Sequence, residues 1–185
     1  LNAKQLFAAI GGSLGGGIAW EMAVLNPTII QHLIPIASDW KSTDWLIANC
    51  LIQEQLLNNS KQPLRDARLH AMLSYRTPES FKVRFGRSKT SDSLQFNIES
   101  WLLHHGEKLQ QRFQLPAYKL MNQLLKTIDI TTGRGAASEV LNSIQSQIHI
   151  IGIDSDLFFI SDENNDTLKL LNPNLSRVSY HEISS

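Results

Sequence analysis

The run Leu6-Phe7-Ala8-Ala9-Ile10-Gly11-Gly12-Ser13-Leu14-Gly15-Gly16 decides how the chain is read. Its apolar start, halted by paired glycines, has the character of a fully buried strand. Beyond Ser13, the residues Ile18, Met22 and Leu25 recur at helical spacing, and Asn26-Pro27 ends that helix. A second strand rich in Ile and Leu is expected over Ile29 to Ala37. Strand, helix and strand in such quick succession predict a βαβ unit on a parallel sheet.

Ser13 stands where the first strand hands over to the helix. A nucleophilic serine on so sharp a turn needs small neighbours, and Gly11 and Gly15 lie two positions to either side. The helix opening at Leu14 would aim free amides and a positive dipole end at the reacting centre, making the Leu14 N–H one oxyanion donor. A mere glycine-rich packing turn is the plain alternative. A phosphate-binding loop is disfavoured because no Lys-Ser or Lys-Thr follows the glycines, and the spacing of a dinucleotide fingerprint also fails. The pattern therefore points to an enzyme of α/β-hydrolase type with Ser13 as nucleophile.

Outward from this unit the character changes. Helical periodicity runs through Trp45 to Leu57, Leu64 to Tyr75, Phe96 to His104 and Tyr118 to Ile128. A buried strand returns at Gln147 to Ile153, followed by a helix over Asp162 to Leu171 and a last strand at Arg177 to His181. The expected architecture is α/β, a partial and mostly parallel α/β-hydrolase sheet with an inserted all-helical lid. Residues 1–38 would form the first part of the core, 39–146 the lid and 147–185 the second part of the core.

The chain has 185 residues, with 17 basic and 17 acidic side chains and a formal charge of zero. Lacking a basic excess, it is not expected to bind nucleic acid. The apolar run from Leu6 to Ala19 is shorter than the roughly 20 residues a membrane-spanning helix needs, so no membrane association is expected either. The lone Cys50 excludes an internal disulfide, reads as a buried helix residue and fits a cytoplasmic setting. No pair of histidines has zinc-type helical spacing, so no metal site is expected.

A serine nucleophile needs a base and an acid that orients it. Asp154 and Asp156 directly follow the strand Ile148 to Ile153, where either could be that acid or both could cap a turn. The six histidines are His32, His70, His104, His105, His149 and His181, none in a loop after a final strand. His149 reads as a satisfied core residue, and His181 lies on the last strand itself.

These residues resemble the C-terminal half of homoserine O-acetyltransferase, an acyl-CoA-dependent α/β-hydrolase-fold transferase of methionine biosynthesis. Ala9-Ile10-Gly11-Gly12-Ser13-Leu14-Gly15-Gly16 is similar to that family's elbow, with Gly17 where Met is usual. Ala67-Arg68, Met72-Leu73-Ser74-Tyr75-Arg76, Arg84-Phe85-Gly86-Arg87, Glu99-Ser100-Trp101-Leu102, Gly106-Glu107-Lys108 and Ser155-Asp156-Leu157-Phe158 resemble further family phrases in the same order. The resemblance implies that Ser13 takes an acetyl group from acetyl-CoA and that Asp156, rather than Asp154, orients the histidine. It also implies that Arg68 and Tyr75 hold the carboxylate of L-homoserine. Acetyl-CoA would be a substrate, no cofactor is implied, and a homodimer or higher oligomer is expected. Thr131-Thr132-Gly133-Arg134-Gly135 is a loosened form of a family glycine-arginine phrase. The family's Gly-His-Asp phrase falls just beyond a strand matching the one that ends near Ile183, so the expectation is of a fragment without its catalytic histidine, inactive alone.

Overall fold

The computed structural model describes residues 4–91, 94–171 and 176–184. Chain order is β1 (Leu6–Gly12), α1 (Leu14–Leu25), β2 (Ile30–Ile36), α2 (Asp44–Asn59), α3 (Pro63–Ser74), α4 (Pro78–Phe85), α5 (Asn97–Arg112), α6 (Leu115–Lys126), α7 (Ala137–Ser143), β3 (Gln147–Ile153), α8 (Ser161–Leu170) and β4 (Val178–Ile183). The four strands lie side by side in the order β1-β2-β3-β4, and every pairing is parallel. This is part of an α/β-hydrolase fold, as the elbow implied. No helix among the described residues is long and apolar enough to cross a membrane.

The chain divides into two compact units, Leu1–Thr43 with Leu124–Ser185, and Asp44–Gln123. The helical unit is thus narrower than the span 39–146 expected from periodicity. The reason lies in the core of the sheet unit, where Ile130, Val140, Leu141 and Ile144 are buried together with Trp20, Leu33, Ile148 and Ile150. Trp40 packs against the same core and donates its indole N–H to Thr167 Oγ1 at 2.9 Å. An antiparallel bridge and an ion pair of 3.3 Å join Lys41 to Asp129.

Pro35 sits inside β2, where it has no N–H to offer a neighbour. Pairing with β3 accordingly skips from Leu33–Ile148 to Ile36–Ile151. The strand ends at Ala37, whose φ of 43° turns the backbone into the left-handed region.

In the helical unit, α3 crosses α5 at Gly106, where a Cβ would come within 2.5 Å of Leu69 Cδ1 and 3.0 Å of the Arg65 carbonyl. Leu57, Leu64 and Ala67 form its own small core with Phe113, Leu115 and Tyr118 against them. Cys50 is buried on α2 and takes part in no disulfide. Two helices lie outside the expected set, α4 and α7. α4 has clear end signals: Thr77 accepts a hydrogen bond from Ser80 N–H at 3.1 Å, Pro78 opens the helix and Gly86 closes it at φ 49°.

Candidate functional site

Ser13 has φ 53° and ψ −125°, a conformation that non-glycine residues rarely adopt. Two bonds hold it there, since its N–H reaches both the Ile36 carbonyl at 3.0 Å and the Ala37 carbonyl at 3.1 Å. Its carbonyl accepts from Gly16 N–H at 2.9 Å and so starts α1. Although it occupies the N-cap position, its hydroxyl makes no capping bond, and the residue is exposed. Strain of about 1–3 kcal/mol thereby goes into presenting, at the end of the sheet, a hydroxyl without a capping bond among the described residues.

The neighbouring glycines play unequal parts. A Cβ on Gly11 would lie 2.2 Å from the Gly15 carbonyl oxygen and 2.6 Å from Gly16 N, while one on Gly16 would meet Ser38 Cβ at 2.5 Å. Gly15 itself faces open space, which corrects the expectation that both flanking positions must lack a side chain. The absence of the usual Met at position 17 also has a steric account, because Ile128 Cδ1 lies 2.4 Å from where a Cβ would stand. Ile128 fills the room that a larger residue on α1 would claim.

Leu14 is the first residue of α1, and its N–H donates to no backbone carbonyl among the described residues. It therefore sits beside Ser13 with the helix dipole behind it, in the position of an oxyanion donor. α1 is tied down by Arg134, which grips Glu21 through Nη1 at 2.9 Å and Nη2 at 2.5 Å and also donates to the Ile130 carbonyl at 2.8 Å. Gly133 and Gly135, at φ 72° and 114°, shape the loop that makes this reach possible.

Asp156 lies in the turn after β3, with its N–H on the Ile153 carbonyl at 3.1 Å. One carboxylate oxygen accepts from Phe158 N–H at 2.7 Å and Phe159 N–H at 3.0 Å. Those bonds fix the carboxylate and leave its second oxygen without a hydrogen bond among the described residues. β1 and β3 flank β2, so the strand ends bearing Ser13 and Asp156 are two strand spacings apart, about 10 Å. An imidazole bonded at both nitrogens spans roughly 7–8 Å between its oxygen partners, which suits that gap.

No histidine of the sheet unit fills it. Gly12, Ile36, Ile151 and His181 share one register row, which sets His181 three spacings from β1, about 14 Å away. His149 is half-buried rather than fully buried, with Nδ1 2.9 Å from Ser179 Oγ and Nε2 3.2 Å from His32 Nδ1. Its hydrogen-bonding needs are met within the sheet.

Nothing in the sequence singles out Asp39. It lies just beyond β2, between the two strands that carry Ser13 and Asp156, and is only 8% exposed. Burial, followed by the charges of Glu163 and Asp156, pushes its carboxyl up to about 7. An aspartate after Ser38 resembles any polar turn residue, and only its burial beside Glu163 of α8 and Asp156 makes it unusual. Glu163, on α8, is raised as well, by burial first and then by Asp166 and Asp162.

In the helical unit the two expected carboxylate-binding residues do meet. The Arg68 guanidinium lies 5.2 Å from the centre of the Tyr75 ring, at the C-terminal end of α3. Tyr75 is 56% exposed, and beside the pair stands Tyr118, whose hydroxyl burial pushes up to about 12.

Known proteins are similar to this chain in sequence and in fold. A protein named homoserine O-acetyltransferase from Trichormus variabilis is 38% identical, matching 86% of this chain and 48% of its own length. One of the same name from Chloroherpeton thalassium is 35% identical over 92% of this chain and 49% of its own. Among solved structures, a homoserine O-acetyltransferase from Staphylococcus aureus superposes with a TM-score of 0.77 at 24% identity, covering 99% of this chain and 52% of that one. An acetylester hydrolase from Corynebacterium glutamicum gives 0.82 at 17% identity, covering 100% and 55%. The chain thus spans about half the length of the relatives it matches. No family model matches it.

Proposed function

We propose, for a chain similar to homoserine O-acetyltransferases over most of its length and built on part of the α/β-hydrolase fold, that it carries the acyl-accepting half of an acetyl-CoA:L-homoserine acetyltransferase. The observation that carries this reading is Ser13, strained, exposed and uncapped at the strand-to-helix turn. Its Oγ attacks the thioester carbonyl, the new ester bond replaces the C–S bond, and the thiol of coenzyme A departs with a proton. The Leu14 N–H takes the oxyanion of the tetrahedral intermediate. The homoserine hydroxyl then attacks the acetyl-Ser13 ester, giving O-acetylhomoserine and restoring the serine.

Both proton transfers fall to a histidine oriented by Asp156, expected from residues after β4. Arg68 is the charge that fits the homoserine carboxylate, and its contact with the Tyr75 ring holds the guanidinium in place. Product O-acetylhomoserine belongs to methionine biosynthesis, a cytoplasmic pathway.

The shared fold of an acetylester hydrolase makes water the competing acceptor. The full-length gene product, exposed to acetyl-CoA and analysed by intact mass, is expected to gain one acetyl group on Ser13 and to lose it faster when L-homoserine is added. Ser13→Ala abolishes the adduct. An adduct indifferent to homoserine would make the protein an esterase, and no adduct at all would refute the nucleophile.

A further inference from the structure

The helical unit holds a second concentration of chemistry that the acyl-transfer steps leave unused. On α4 and α5, Phe81 and Phe85 pack against Trp101 with ring centres 6.0 and 5.6 Å away. His105, one turn further along α5, closes on the same indole at 4.4 Å. Two guanidiniums share that ring: Arg76 Cζ stands 5.8 Å from its centre and Arg84 Cζ 5.5 Å, the latter also 5.5 Å from Phe85. Both arginines are exposed.

The carboxylates nearby in sequence are engaged elsewhere. Glu79 pairs with Lys82 at 3.6 Å, Glu107 with Arg65 at 3.3 Å, and Glu99 accepts the Phe96 N–H at 2.8 Å. Neither Arg76 nor Arg84 has an ion-pair partner among the described residues. The local field is positive: His105 is lowered, first by burial and then by His104, Arg68, Lys108 and Arg76.

A guanidinium laid on an aromatic face is held there while its N–H edge stays free to form paired bonds in the guanidinium's own plane. That edge matches a phosphate, and two such guanidiniums lie over one indole. The chain's formal charge of zero makes this a local patch, suited to a ligand with a few phosphates rather than to a polyanion.

We propose that Arg76 and Arg84, braced on Trp101, form a phosphate clamp for the nucleotide end of the acyl-thioester donor, with the Trp101 cluster as its aromatic floor. This rests on the acyl-transfer reading, in which the donor is a nucleotide-bearing thioester.

Calorimetric titration of the 185-residue chain tests the clamp, with coenzyme A and with pantetheine, which lacks every phosphate. Coenzyme A is expected to bind at least about tenfold more tightly than pantetheine, two charge-assisted contacts accounting for such a factor. Arg76→Gln with Arg84→Gln removes that preference without altering the circular dichroism spectrum. Arg87→Gln, on a guanidinium that instead lies 5.6 Å over Phe96, removes equal charge per substitution and retains the preference. A preference that survives in the double variant overturns the clamp while leaving acyl transfer intact. An equal loss in Arg87→Gln also overturns it, because bulk charge then suffices. If coenzyme A does not bind, yet p-nitrophenyl acetate acetylates Ser13 in the full-length gene product, the clamp fails together with the thioester reading.

Discussion

At the scale of single residues, the most consequential is the buried Asp39. Its carboxyl titrates near 7 when folded, against 3.8 for an unperturbed aspartate, chiefly because burial disfavours the charge. The unfolded chain gives up this proton from about pH 4, whereas the folded chain keeps it until about pH 7. The unfolded state therefore binds fewer protons across that window, and stability falls as pH rises through it. Asp39→Asn, which keeps the shape and removes the charge, is expected to raise stability by about 2–4 kcal/mol at pH 7.5 and to change little at pH 4. Urea denaturation at the two pH values checks this, and a benefit equal at both would show that titration is not the cause. Nothing in Ser38-Asp39-Trp40 announces such a role. The loop after β3, by contrast, stood out because Asp154 and Asp156 come just after an unmistakable strand, while only the family resemblance singles out Asp156, to which the structure gives backbone N–H partners on one oxygen.

At the scale of elements, the elbow was readable because strand, turn and helix each have a local signature. What was not readable is which glycine matters, since that depends on how closely β1 and α1 approach. A methyl group on Gly11 would collide with the backbone of Gly15, and neither β1 nor α1 can yield without parting from the other. Gly11→Ala is therefore expected to cost about 3 kcal/mol or more, whereas Gly15→Ala, facing open space within a helix, should be neutral or stabilise by up to about 1 kcal/mol. Thermal melts of the two variants decide it, and equal losses would mean the close approach is misplaced. The helices missed in the sequence were short. α4 has only 8 residues, too few to establish a periodicity, although Thr77-Pro78 and Gly86 mark both of its ends. The inner boundaries of the helical unit were misread for a different reason: α7 and the segment around Ile130 are polar in pattern, and only burial against Trp20 and Leu33 assigns them to the sheet.

At the scale of the whole molecule, β1 has β2 along one edge and no strand along the other among the described residues. That edge carries Phe7 at 73% and Ile10 at 67% exposure, and the strand Leu6–Gly12 contains none of the lysines or prolines that normally blunt an open edge. A formal charge of zero supplies no general repulsion between copies. Unpaired N–H and C=O groups beside exposed apolar side chains favour pairing with another chain, so the 185-residue protein by itself is expected to self-associate through β1. Light scattering at about 50 µM should show a mass above the monomer, because open-edge pairing strengthens with concentration. Phe7→Lys with Ile10→Lys places two charges on that strand and should return the mass toward one chain, leaving the α1 core, built on Trp20 and Ala23, untouched. A monodisperse monomer in the unaltered chain would show that the edge is covered in solution, and an oligomer indifferent to the two lysines would place the association on another surface.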